Sequence, residues 1–293
     1  MNDLWKYFSV CLLATAALLG GTSLAWAQVP LGAASDFSVL GATVTCTTSV
    51  IAGDVGIAPA TAFTNTGCTI AGGVPPATNA AAVGARTDFL SAYDAVRGMP
   101  CTASLSSTIT GPLTLSPGVY CTGAELTGTG VLTLDGQGDA NAVWVFKIGI
   151  EATGALTGTN FSVVMAGGGQ PCNVFWAPNA GVTMTTSVLQ GNILAGNAID
   201  GSITLTGGSL AGRALANVAV TMKDTSVIGC TVLSGSKSCD GRKHDGDDRE
   251  HKKCNQGVGN GSEGCDPGNS NHQHGSNDED GGTPGNPGRK HGD

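Results

Sequence analysis

Side chains able to carry catalysis are unevenly placed along this chain of 293 residues. All five histidines, His244, His251, His272, His274 and His291, lie beyond residue 235. A Ser-His-Asp relay or a Cys-His pair inside residues 28–235 is therefore excluded, as is a histidine-based metal centre there. Carboxylates remain. A glycosidase needs two acids facing one another across a cleft. The nearest pair, Asp135 and Asp139, sits in "LDGQGDANAVW". Gly and Asn surround it between two apolar runs, which is turn chemistry. "AGGGQP" (166–171) lacks the Lys and the helix signal of a phosphate-binding loop. The residues predict no enzyme, no cofactor and no metal site.

What the chain does repeat is hydroxyl chemistry. "TCTTSVIAG" from Thr45 returns as "TMTTSVLQG" from Thr183, "TLTGGSLAG" from Thr204 and "TMKDTSVIG" from Thr221. Looser copies are "LTGTGVLTL" from Leu126 and "LTGTNFSVV" from Leu156. Aligning them puts Thr47, Thr127, Thr157, Thr185 and Thr206 in one register, with Lys223 last. Two residues on stand Ser49, Thr129, Thr159, Ser187, Gly208 and Thr225. Thr45, Thr183, Thr204 and Thr221 precede the apolar position. If the apolar residue points inward, its neighbours point outward. The candidate surface residues are thus Thr47, Ser49, Thr127, Thr129, Thr157, Thr159, Thr185, Ser187, Thr206 and Thr225. Short, β-branched hydroxyls hold few rotamers and could order water into a regular array. The other reading is that Thr is simply a good exposed strand residue.

Positioning such a grid requires stacked strands. The Thr–apolar–Thr alternation has the period of a strand with one face inward. Gly and Asn mark the turns. The last three strict copies start 21 and 17 residues apart. Rungs of that length bury their apolar side only by stacking, which predicts a mainly β, parallel β-solenoid. A β-sandwich also has many short strands, but does not explain why one position of each copy holds Thr. The Ala-rich segment at about 77–98 has helical spacing, with Ala81, Ala85, Phe89, Ala92, Tyr93 and Val96 on one side. It predicts one helix covering an apolar flank.

The rest of the chain frames this domain. Residues 1–27 carry Lys6, an apolar run and Ala25-Trp26-Ala27, the pattern of a secretory signal peptide. The run falls short of the roughly 20 residues that span a bilayer. Residues 28–235 hold five basic and ten acidic residues, a net charge of −5 that argues against nucleic-acid binding. Residues 236–293 are rich in Cys, His, Gly and Asn, and nearly devoid of large apolar residues. They read as a disordered or cysteine-clipped tail, and their His and Cys as part of a solvated linker rather than a metal site. Export favours disulfides. Cys46–Cys68 and Cys101–Cys121 are the expected local staples, although spacing alone does not fix the pairing.

Residues 31–230 also resemble the secreted ice-binding-protein-like family of bacteria and fungi. "LGAASDFSVLGATVT" (31–45), "GDVGIAP" (53–59), "LSPGVY" (115–120), "LTLDGQGDANAVWVFKIG" (132–149) and "CNVFWAPNAGVTM" (172–184) carry the resemblance, in matching order. It implies a right-handed, discontinuous solenoid of triangular cross-section with one long helix alongside. It implies adsorption to ice or ordered water, without catalysis or cofactor, by a secreted, extracellular or cell-surface protein. Some members use Thr-Ala/Gly-x-Thr/Asn motifs. Thr157-Gly158-Thr159-Asn160 fits that form, whereas Lys223 and Asp224 interrupt the last copy. The second functional reading is a non-catalytic surface or matrix adhesin on the same solenoid, attached to the cell envelope through its tail.

Overall fold

A computed structural model describes residues 29–74 and 80–230. The proposed signal peptide and the tail lie outside them. The strands pair in parallel into three-sided rungs, which excludes the sandwich. One rung runs through residues 182–185, bends, continues through 187–190 and closes with Asn192–Ala195. The next repeats this as 203–206, 208–211 and Ala214–Ala216. The solenoid, with one helix alongside among the described residues, is the architecture expected from the sequence.

One side consists of Gly118–Thr122, Trp144–Ile148, Val174–Pro178, Asn192–Ala195, Ala214–Ala216 and the first halves of Phe37–Thr47 and Asp54–Thr66. Strands here are buried on both faces, so they read as continuous apolar runs such as "WVFKI" and "VFWAP". Inside the solenoid, Phe146 stacks on Tyr120 and on Trp176, with ring centroids 5.7 and 4.0 Å apart. The polar edges of these rings are satisfied by backbone. Tyr120 donates to Ser116 O at 2.7 Å and Trp176 Nε1 to Gln190 O at 2.9 Å. Such partners let aromatic rings sit in a core without stranding a donor.

The helix, Ala80–Gly98, covers the outer surface of this side. It buries Ala82, Ala85, Phe89, Ala92, Tyr93 and Val96. Ala82, rather than the expected Ala81, faces the sheet, and Ala81 is exposed. Residues 77–79 of the expected helix fall outside the described residues. Small Ala side chains permit a close approach to the sheet, and Phe89 belongs to one buried cluster with Val119, Phe175 and Leu194.

The helix also solves a connection problem. The N-terminal strand residues 43–47 do not begin the stack. They pair with Ala219–Lys223 on one side and with residues 62–66 on the other. The chain therefore starts near the far end and must return before winding upward. A helix of 19 residues spans about 29 Å. The five rung steps from residues 54–58 back to Trp144–Ile148 span roughly 24 Å, so one straight helix suffices. At its end, the Arg97 guanidinium donates to the carbonyls of Ile148, Gly149 and Ala177 at 2.8, 2.9 and 3.1 Å. Lys147 donates to Met99 O, and burial together with Arg97 pulls its pKa below the ordinary lysine value.

Both expected disulfides are present. Cys101–Cys121 fastens the exit of the helix to the sheet, and Cys46–Cys68 closes the loop at the opposite end. Arg97→Ala would leave three carbonyls without their charged donor. Urea denaturation should show a loss of about 2–4 kcal/mol, with less than half recovered by Arg97→Lys, whose ammonium lacks the planar fork.

Candidate functional site

A second side of the solenoid presents two files of threonine. The first runs Thr108, Thr127, Thr157, Thr183, Thr204, Thr221, Thr45 and Thr64, each paired in register with the next. Every one is exposed or half-buried. The second file runs Thr159, Thr185, Thr206, Lys223, Thr47 and Thr66. Thr110 and Thr129, both exposed, follow two residues after Thr108 and Thr127. Parallel strands stand ~4.8 Å apart and alternate residues ~6.7 Å apart along each strand. Eight rungs thus extend the grid over roughly 34 Å. The pairs within 43–47 have no register shift. The only shifts in that strand fall at Phe37/Val39 and Gly41/Thr43, before this side begins.

Between the two outward positions of a rung the side chain points inward: it is Ile109, Met184, Leu205, Met222 or Cys46 in five rungs, all buried, whereas Asn65, in the terminal Thr64–Thr66 rung, is exposed. In two rungs it is Gly128 or Gly158, for a steric reason. The Phe161 ring lies directly inside, and a Cβ on Gly128 would stand 2.6 Å from it. A Cβ on Gly158 would meet Met184 Sδ at 2.5 Å. Thr-Gly-Thr and Thr-Met-Thr are thus the same outward pattern over different fillings.

The corner that ends this side corrects part of the sequence-based assignment. Thr48, Asn160, Thr186 and Asp224 have φ of 45°, 52°, 49° and 51°, and Gly207 of 69°. The left-handed residue swings the chain onto the third side, so the residue after it points inward. Ser49, Ser187 and Thr225, expected on the surface, are therefore buried at 2%, 3% and 4% exposure. Their hydroxyls fasten the corner. Ser187 Oγ donates to Thr185 O at 2.9 Å and accepts from Phe161 N at 3.2 Å. Ser49 Oγ donates to Thr47 O at 2.9 Å and accepts from Thr225 N at 3.1 Å. Thr225 Oγ1 donates to Lys223 O at 3.0 Å.

Register differs as well. Thr127 and Thr157 pair in line with Thr183, not Thr185, and Thr159 is the partner of Thr185. Lys223 is an interior member of its file, because residues 43–47 and 62–66 stack beyond it. Thr64, Thr66, Thr108 and Thr110 were not singled out from the sequence, although "TNT" and "TIT" carry the Thr-x-Thr signal. Asp135 and Asp139 each accept from the backbone two residues on, at 2.9 and 2.8 Å, as turn residues do.

The third side lacks such repetition. Its outward column reads Val131, Ser162, Val188, Ser209, Ser226, Val50 and Thr69. Residues 37–228 match the profile of the ice-binding-like family. The chain belongs to that family. It is 38% identical over 203 residues to an ice-binding protein of Nostoc sp. (strain HG1), covering 67% of this chain and 72% of that one. It is similar in structure to the ice binding protein of an Antarctic Flavobacteriaceae bacterium (34% identity, TM-score 0.59), covering 71% of this chain and 48% of that protein. It is also similar to that of the Antarctic ascomycete Antarctomyces psychrotrophicus (29% identity, TM-score 0.55), covering 68% and 97%. The adhesin reading draws no support from these relatives.

The two classes of hydroxyl should respond differently to deletion. Ser187→Ala strands the Phe161 amide and should lower unfolding free energy by about 1–2 kcal/mol in urea titration. The exposed Thr185→Ala should change it by less than about 0.5 kcal/mol.

Proposed function

We propose that this protein adsorbs to ice, or to the ordered water at its surface, through the two threonine files. The supporting observation is the eight-rung file that places Thr at the same lattice position from Thr108 to Thr64. Each hydroxyl and methyl makes only a weak contact. Their sum becomes effective because the spacing is set by backbone hydrogen bonds and the rotamers by β-branching, so little freedom is lost on binding. Adsorption at many fixed points needs no chemical step, and we read the protein as non-catalytic. The relatives from Nostoc, Flavobacteriaceae and Antarctomyces are ice-binding proteins, in agreement with that reading.

The remaining assignments follow. The signal-like segment 1–27 supports export, and the segment 236–293 would then be carried outside with the domain; no helix among the described residues is long and apolar enough to cross a membrane. The second side, rather than the third, is the binding face, because only it repeats one side chain. Lys223 is the exception in its file. Its long, charged and exposed side chain projects above the threonines and holds its own hydration shell, which weakens the match there.

Retention of residues 28–235 in slowly growing ice tests the activity itself; full exclusion of a folded protein would refute it. Thr157→Tyr and Thr183→Tyr should each abolish inhibition of ice recrystallisation at unchanged thermal stability, whereas Val188→Tyr on the third side should leave it intact. The reverse pattern would move the site to the third side. Lys223→Thr should lower the concentration needed for half-maximal inhibition.

A further inference from the structure

Two cysteines among the described residues stand outside the disulfides, Cys172 and Cys230. Cys172 lies in the short turn Pro171–Asn173 that leads into Val174–Pro178. Cys230 follows Gly229, just past the strand Ser226–Val227. Fifty-eight positions separate them in sequence, yet one buried side chain holds both. Asn192 Nδ2 donates to Cys172 O at 2.9 Å, and Asn192 Oδ1 accepts from Cys230 Sγ at 3.4 Å. Asn192 has 0% exposure. The Cys230 thiol is also within hydrogen-bonding reach of the Cys172 sulfur, so the two sulfurs are neighbours.

The surroundings suit thiol exchange. Arg213 Nη1 donates to the same Asn192 Oδ1 at 3.0 Å and sets a positive charge beside the sulfurs. The hydrogen bond from Cys230, aided by Arg213 against the opposing effect of burial, lowers the Cys172 pKa to about 7. The hydrogen bond with Cys172, and then burial, push Cys230 upward. One sulfur is thus a ready thiolate and the other holds the proton, the asymmetry that thiol exchange uses. A hollow of about 320 Å³ is lined by both cysteines together with Leu31, Gly32, Phe175 and Arg213. No group of three or more His, Cys, Asp or Glu that could hold a metal occurs among the described residues.

We propose that Cys172 and Cys230 form a dithiol site that closes to a third disulfide by exchange with an external disulfide. The Cys172 thiolate attacks one sulfur of RSSR, forming a mixed disulfide and releasing one RS⁻. Cys230 gives up its proton and attacks Cys172 Sγ, releasing the second RS⁻. The protein dithiol is oxidised and RSSR is reduced to two RS⁻; the Cys230 proton goes to one of them, and solvent supplies the proton of the other, in place of the one Cys172 lost on forming its thiolate. The new bond ties the segment after Ser226–Val227 to the turn at Pro171 and encloses the strands between. Cross-linking a loop of that size restricts chiefly the unfolded chain.

The test uses the full chain, incubated with oxidised glutathione, alkylated and digested without reductant. A peptide joining Cys172 to Cys230 is expected in the mass spectrum. Thermal unfolding of this material should lie roughly 5–10 °C above that of Cys172→Ser and Cys230→Ser, each treated alike. The single variants retain both other disulfides, which maps their folding separately. Alkylation of both thiols, or pairing of either with Cys239, Cys254 or Cys265, would overturn the proposal. A shift below about 1 °C would overturn the stabilising role of the bond.

Discussion

Parallel, in-register pairing of successive rungs is the constraint on which the molecule rests. It fixes the separation of neighbouring strands at ~4.8 Å and leaves no freedom to adjust it. Every other feature follows from that ladder. Inside, identical positions stack, and this is why Tyr120, Phe146 and Trp176 meet ring on ring. Outside, the same rule converts a Thr-x-Thr phrase in the sequence into a column of threonines. A surface whose regularity comes from backbone bonds does not depend on side-chain packing to stay regular, and so can be left bare to water.

The three sides share that ladder but not the same fate. One is hidden beneath the helix, and its outward residues become core. Two are uncovered. The difference between them lies in the corners. A left-handed residue such as Thr186 or Asn160 ends the threonine side, and an inward hydroxyl such as Ser187 closes the bend by bonding the backbone on both rungs. L-residues in that conformation cost on the order of 1 kcal/mol each. The hydrogen bonds at Ser49, Ser187 and Thr225 offset part of that cost.

Much of this was visible in the residues alone. Alternation around Met184 and Leu205 announced strands with a dry and a wet face, and the spacing of Ala85, Phe89 and Ala92 announced the helix. Slippage of two residues between copies was invisible, because a shift of two keeps every Thr on the same face of a strand. Only the pairing of Thr157 with Thr183 settles it. Alternation also misassigns the residue just beyond a corner: Ser187 continues the outward pattern on paper, and the positive φ at Thr186 inverts it. The insertion of residues 43–47 beside 219–223 has no local signature, since it depends on partners far apart in the chain.

That insertion bears on how the molecule is made. Strand Phe37–Thr47 leaves the ribosome early, but one of its two neighbours is among the last segments of the domain to be synthesised. Until then an unpaired backbone edge stands open on either side of the future seam, the kind of edge that recruits foreign strands. Closing the seam joins residues more than a hundred positions apart, a slow step for any polypeptide. A chain crossing a membrane unfolded and completing this seam only afterwards would avoid exposing that edge to the crowded interior of the cell.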